Sequence, residues 1–240
     1  MAFVNSQSTR VLYGANAIAS TIKSASPTFN TNMIDVTTLA DTSKAFVPGI
    51  NDWTLNIDGV FDNTTGTGSV LDQMTSPLSA TTTVPASVAV AGFTVGNPVW
   101  LIPAKEITYE VKAQVENAVE YSLALGAASA PDLGYSLADL AAVSATANGT
   151  SVDTGAATTT GWVAHLHITA VSGTTPSLTA VVQQSTNNST WTTLGSFTAA
   201  TAIGSQVITG TGSAARYLRI QWTVTGTTPS FTVQASAGTY

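Results

Sequence analysis

The chain has 240 residues, and only 8% are charged, with 7 basic against 13 acidic side chains and a net charge of −6. Soluble domains usually carry about 25% charge. Apolar residues still make up 44%, which excludes an intrinsically disordered chain. The acidic balance argues against duplex binding through a basic face, and no apolar run approaches a membrane span. With no cysteine, disulfides, thiolate zinc sites and a cysteine nucleophile are excluded.

In chain order, the start (Met1 to Ser6) has neither a basic n-region nor an apolar h-region, so a cytoplasmic start is expected. The first half reads mostly as strand. Two short helices are expected, at 69–76, where Ser69 and Asp72 form an S-x-x-D cap and Pro77 stops the run, and more weakly at 136–142 with Ser136 and Asp139. Between Glu106 and Leu125 the odd positions are apolar apart from Asn117, and the even ones carry Glu106, Glu110, Glu116 and Glu120. That period of two predicts strand. Straight, the segment would run about 66 Å at ~3.3 Å per residue. It therefore either turns back as a hairpin near Glu116 and Asn117 or serves a sheet larger than one compact domain.

Charge divides the chain. Residues 1–150 hold 5 basic and 12 acidic groups, whereas beyond them stand only Asp153, Arg216 and Arg219. A Gly/Thr/Ala-rich stretch around 145–161 reads as a linker. Two domains are expected, 1–152 and 153–240. The second contains a repeat: VSGTTPSLT (171–179) and VTGTTPSFT (224–232) agree at 7 of 9 positions, 53 residues apart. Each copy reads as a hairpin inside an antiparallel sandwich or jelly roll.

Catalytic chemistry is hard to find. His165 and His167 alternate on one strand face, as a pair of metal ligands or as structural imidazoles, and no acid lies nearby in sequence. The four glutamates share a strand face more suited to a solvated or lumen surface than to a glycosidase pair. The glycines fit no phosphate or dinucleotide loop, and there is no G-x-S-x-G. No enzyme, metal or cofactor is expected. Trp191 and Trp222 are candidates for a sugar-stacking platform or for core.

The segment DVTTLADTSKAFVPGINDWTLNIDGVFD (35–62), followed by a short helix and the paired-strand segment, resembles the tail tube (major tail) proteins of long, non-contractile-tailed bacteriophages over residues 1–145. The resemblance implies a mainly β fold: a sandwich-like subunit with one or two short helices. Such subunits form hexameric rings stacked into a hollow tube, in the tail of a virion assembled in the host cytoplasm. It further implies self-association, contact with a tape-measure protein, and passage of DNA without specific binding. Glu106, Glu110, Glu116 and Glu120 would then line the lumen. Asp35, Thr37, Thr38, Asp41, Lys44, Pro48 and Gly49 would belong to a loop contacting the next subunit or ring. QS-x₅-WTTL (184–194) and ARYLRI (215–220) resemble discoidin-type jelly rolls. An outward sandwich domain follows from that, with host-surface glycan contact as one use. Asn187 and Asn188 replace the usual Asp-Gly there. Rival readings are a carbohydrate-binding or adhesin module, and a capsid decoration or head–tail joining protein.

Overall fold

The computed structural model describes residues 6–18, 21–61, 83–115 and 117–240. After a 3-10 turn (Ser6–Ser8) the described chain is antiparallel strand. The strands are β1 (Arg10–Tyr13), β2 (Asn16–Ala17), β3 (Ile22–Asp35), β4 (Phe46–Val60), β5 (Val84–Ala89), β6 (Pro98–Lys112) and β7 (Glu120–Ala127). They continue with β8 (Asp132–Val143), β9 (Ala147–Asn148), β10 (Val152–Asp153), β11 (Trp162–Ser185), β12 (Thr192–Ser196), β13 (Gly204–Gly210) and β14 (Tyr217–Thr239). All belong to one hydrogen-bonded network of 14 strands whose main path runs β12-β11-β14-β8-β6-β5-β1-β2. The mainly β class expected from the Thr- and Val-rich alternation is what the chain adopts.

The expected helix at 69–76 lies outside the described residues. The one expected at 136–142 is strand instead, inside β8, where it pairs with β14. Its capping residues bond across the fold. The Asp139 carboxylate accepts the Val95 N–H at 2.8 Å, and the Ser136 hydroxyl donates to the Phe93 carbonyl at 2.7 Å. Tertiary pairing and burial of Leu137 outweigh a weak local helix signal.

The network folds on itself into four layers separated by three cores. Layer one is β3, β4, β7 and the far half of β6, joined in that order. Its Trp53, Leu55, Ile57, Tyr121, Leu123 and Leu125 pack on Val11, Val88, Ile102 and neighbours from β1, β5 and the near half of β6, which form layer two. The opposite face of layer two supplies Leu12, Ala89, Val99 and Leu101, which meet Val163 of β11. Layer three is the first half of β11 with the last half of β14, and layer four is the remaining halves of those two strands with β12. Between layers three and four lie Leu166, Ile168, Phe231 and Val233 against Leu178, Val182, Ile220 and Trp222. Alternation explains the stacking: each middle strand buries both faces, so odd and even residues serve different cores.

The 24-residue β11 and 23-residue β14 owe their length to the repeat. Each copy is not a hairpin but a bend within one strand, and the copies face each other. Ser172 pairs with Ser230, Thr174 with Thr227, and Ser177 with Thr225. Shifting by 53 residues maps this set of pairs onto itself, so the corner has a local two-fold axis. Gly173 and Gly226 take φ of 107° and 123°, and Thr175 and Thr228 take 48° and 47°. The Gly-Thr-Thr-Pro run turns the ribbon from layer three to layer four without reversing it, because its partner strand turns at the same place.

The 106–125 segment resolves as a hairpin, with β6 and β7 paired from Ala104–Ala127 to Lys112–Glu120. A register shift between Glu106 and Thr108 breaks the alternation. Consequently Glu106 is buried at 7% exposure, while Ile107 turns outward at 56%.

Candidate assembly and recognition surfaces

The outer face of layer one is a grid of short polar side chains. One row across it reads Ser24, Asp58, Ser122 and Glu110, and the next reads Ser26, Asn56, Ala124 and Thr108. Glu110 and Glu120 share this face, and each is neutralised: Lys112 lies 3.3 Å from Glu110, and Lys23 pairs with Glu120. The Ser24 hydroxyl donates to Asp58 at 2.9 Å. Glu106 is not on this face. The bulge after it turns its carboxyl inward near Tyr13 and Tyr109, where burial pushes its pKa up. Burial, with Glu106 adding to it, raises Tyr13 to about 12. Glu116 lies outside the described residues. Of the described glutamates, Glu110 and Glu120 therefore keep to one face and Glu106 leaves it, because periodicity does not register a one-residue bulge.

Both margins of layer one are open. Among the described residues β3 pairs only with β4, and β6 beyond Ala104 pairs only with β7. β3 and β4 also extend past the layer as an arm. Its loop is tied by its own side chains. The Asp35 carboxylate accepts the Thr37 N–H at 2.9 Å, and Asp41 accepts the Thr38 N–H at 2.7 Å and its hydroxyl at 3.0 Å. These hydrogen bonds from Thr37 and Thr38 hold both carboxyls below their ordinary range. Lys44 is exposed in the loop; Pro48 and Gly49 are not loop but strand, with Pro48 opposite Met33. The arm presents Met33, Ile34, Val36, Phe46 and Val47 half-exposed, Ile50 at 86%, and Leu39 fully to solvent. The resemblance to tail tube proteins pointed to this loop; the apolar residues around it are the part that sequence reasoning passed over.

The histidines sit between layers two and three, both at 0% exposure. The Nδ1 of His167 lies 2.6 Å from the Gly14 carbonyl, which only accepts, so Nδ1 carries the proton. The Nε2 of His167 then accepts the Ser87 hydroxyl at 2.8 Å, and Ser87 in turn accepts from Nδ1 of His165 at 3.3 Å. The Nε2 of His165 is left buried without a partner. Burial lowers His165 to about 3, helped by the neighbouring His167, and lowers His167 to about 4. This is a neutral hydrogen-bonded wedge closed to substrate. Among the described residues no group of three or more His, Asp or Glu could hold a metal. No described helix is long and apolar enough to cross a membrane.

In layer four the two tryptophans part. Trp222 is core, at 5% exposure, and cannot be a stacking platform. Trp191 folds over the outward face, with the Arg219 guanidinium 4.2 Å from its ring centre. The Nε of Arg219 donates to Gln183 at 2.8 Å, and Gln183 donates to Gln221 at 3.1 Å. The Asn187 side chain, accepting the Ser189 and Thr190 N–H groups at 3.0 and 2.9 Å, shapes the loop that delivers Trp191. At the sheet end Arg216 makes a two-pronged bond to Asp153, both distances 2.7 Å, holding that carboxyl down at about 2.

No protein-family model matches the chain. No curated protein matches it either. Among solved structures it is similar to a chain of the virion of a native gene transfer agent particle, at 15% identity over 54% of this chain and 97% of that one, with a TM-score of 0.42. It is also similar to the SPP1 tail tube, at 11% identity over 53% of this chain and 77% of that one, with a TM-score of 0.44. A third is the SPP1 Dit protein of the hub adsorption apparatus, at 9% identity over 96% of this chain and 98% of that one, with a TM-score of 0.42.

Proposed function

We propose that the chain is a structural subunit of a phage-type tail, which assembles with copies of itself into six-membered rings stacked as a hollow tube. The observation that carries this reading is layer one. It is a four-stranded sheet with a polar outer face, an apolar inner face packed on layer two and, among the described residues, two unpaired margins, beside an arm rich in exposed apolar side chains. An open strand margin invites pairing with another chain. Margins of opposite identity, β3 on one side and β6 on the other, join head to tail, and such contacts close into rings. A barrel closed from several subunits has no edges left.

On this reading residues 1–152 assemble and 153–240 face outward. The outer face of layer one lines the lumen, where Asp58 adds negative charge and the lysines, Lys23 and Lys112, are tied to Glu120 and Glu110, leaving DNA little cationic grip. The 36–45 loop and its apolar flanks contact the next subunit or ring, and a tape-measure protein occupies the lumen before DNA. The product is a virion tail, assembled in the host cytoplasm.

Electron microscopy of the purified full chain tests this. Hollow tubes of uniform width are expected, and dispersed monomers at high concentration would defeat the reading. A Glu110→Lys/Glu120→Lys variant is expected to form tubes that retard DNA delivery. Unchanged delivery would remove these residues from the lumen.

A further inference from the structure

We propose that the cavity at the root of the β3–β4 arm is a socket for the arm tip of a second copy of this chain, with Leu39 seated in it and Lys44 set against Asp52. The inference rests on the tail reading and deepens it, by naming where on the neighbour the 36–45 loop lands. Three observations carry it.

The first is the socket. Where β7 ends, β3 and β4 run on as the arm, and the connection from β7 to β8 turns beside them. A cavity of about 400 Å³ opens there, with Phe29, Ala128, Ala130 and Pro131 as apolar lining and Asp52 as its one charged lining residue. Phe29 is 48% exposed, yet its ring is braced, with its centre 4.8 Å from that of Trp100 and 6.1 Å from that of Trp53. A braced, half-exposed aromatic in a concave wall is what an apolar anchor from a partner packs against.

The second is the plug. The Thr38 carbonyl accepts the Asp41 N–H at 3.0 Å, and the Asp41 carboxylate holds Thr38 in return, closing a turn whose central residues are Leu39 and Ala40. Such positions usually carry Gly, Pro, Asn, Asp or Ser. Leu39 stands there fully in solvent, so it adds nothing to the core of its own chain. The turn presents it already shaped, which lowers the ordering cost of docking.

The third is charge and reach. Lys44 and Asp52 are both exposed, and neither side chain has an ion pair or hydrogen bond among the described residues. Asp35 and Asp41 are already engaged by Thr37 and Thr38. Lys44 is therefore the charge the tip has to offer, and its sign is opposite to that of the socket. Within one chain the two cannot meet. The ladder running from Phe29–Trp53 to Asp35–Phe46 holds the tip about 20 Å from the root, at ~3.3 Å per residue. The tip must enter another copy, and each copy then offers one plug and one socket, a head-to-tail contact that repeats.

The chain has no cysteine, so introduced thiols report the contact without background. In the full chain, Leu39→Cys/Ala130→Cys is expected to give a ladder of covalent oligomers on a denaturing gel after mild oxidation, because docking brings the two within disulfide reach. Leu39→Cys/Thr223→Cys, with the second thiol exposed on layer four, should give no ladder. Lys44→Glu and Asp52→Lys should each raise the concentration needed for tubes about tenfold, and the double reversal should restore the parent value. Thermal melting of all variants, expected to match the parent, separates loss of docking from loss of fold. Tubes in micrographs without the ladder, or a double reversal no better than the single ones, would overturn the socket and leave the tail reading standing. A ladder from chains that form no tubes would uphold the socket and defeat the tail reading, and neither ladder nor tubes would defeat both.

Discussion

Acid should loosen this protein through its two histidines before any carboxylate begins to titrate against the fold. In the unfolded chain each imidazole takes a proton near pH 6.5. In the fold His165 and His167 resist until about 3 and about 4, chiefly because both are buried. The deeper reason is the fixed order of protons from Gly14 through His167 and Ser87 to His165. The one lone pair free to take a proton is the buried Nε2 of His165, and protonating it places an unpaired cation between layers two and three. Between pH 6.5 and 4 the unfolded state therefore binds more protons than the folded one, and stability falls as pH falls. Each histidine contributes about 1.4 kcal/mol per pH unit, so the pair gives a slope of roughly 2.7. Over two units that is about 5 kcal/mol, comparable with the whole stability of many domains.

Other groups act elsewhere or in the opposite sense. Asp35, Asp41 and Asp153, lowered in the fold, withdraw stability only as pH drops below about 4. Glu106 and Asp132, raised by burial, favour the fold as pH falls and so oppose the histidines. Comparing variants removes their contribution. Urea unfolding, followed by tryptophan fluorescence at half-unit steps from pH 7 to 4.5, gives the slope. His165→Leu and His167→Gln should each reduce it by about 1.4 kcal/mol per pH unit. A flat parent profile, or a double variant that keeps the parent slope, would refute the argument.

Other expectations follow from the same geometry. Glu106→Gln should raise the melting temperature at pH 7, with the gain vanishing as pH falls below the carboxyl's ordinary range; an unchanged melting temperature at pH 7 would place the carboxyl in water. Gly173→Ala and Gly226→Ala should each cost about 2–3 kcal/mol, since a Cβ would lie 2.6 Å from the Thr228 carbonyl oxygen and 2.8 Å from that of Thr175. Equal losses in calorimetry would support the two-fold corner, whereas a loss at only one would break its symmetry. Trp222→Ala should cost about 3–5 kcal/mol in chemical unfolding, against a near-neutral Trp191→Ala. Leu39→Asp/Ile50→Asp should leave melting unchanged and abolish tubes in micrographs; intact tubes would free the arm of any assembly role.

What the sequence discloses here depends on range. Strand identity is a local property, and Val, Thr and alternation announced it almost everywhere. The hairpin at 106–125 was legible as one of two options, because length alone made a straight strand implausible. The bulge at Glu106 was not legible. A single extra residue leaves composition and turn signals untouched, yet it inverts which side chains are buried. Ser136 and Asp139 misled for a related reason: a cap pair and a cross-strand pair look alike until the partners Val95 and Phe93 are known. Trp191 and Trp222 have equal standing in the sequence, and only the pairing of Ala180 with Trp222 shows that one points inward.

The repeat shows most clearly how a correct local reading can give a wrong connection. Gly-Thr-Thr-Pro between two β-rich runs signals a turn, and a turn is there. Whether a turn reverses the chain depends on what lies opposite, and opposite each copy lies the other copy, 53 residues away. Two identical bends facing each other cannot both be hairpin ends; they form a corner through which both strands continue. That corner makes layers three and four from one ribbon. It leaves the polar face of layer one and the Trp191 face of layer four as opposite ends of a stack, with three cores between them, on the order of 30 Å apart at ~10 Å per layer. A subunit built this way can line a channel with one face while the other remains exposed. The histidine wedge lies midway between them, tying β1 and β5 of layer two to β11 of layer three.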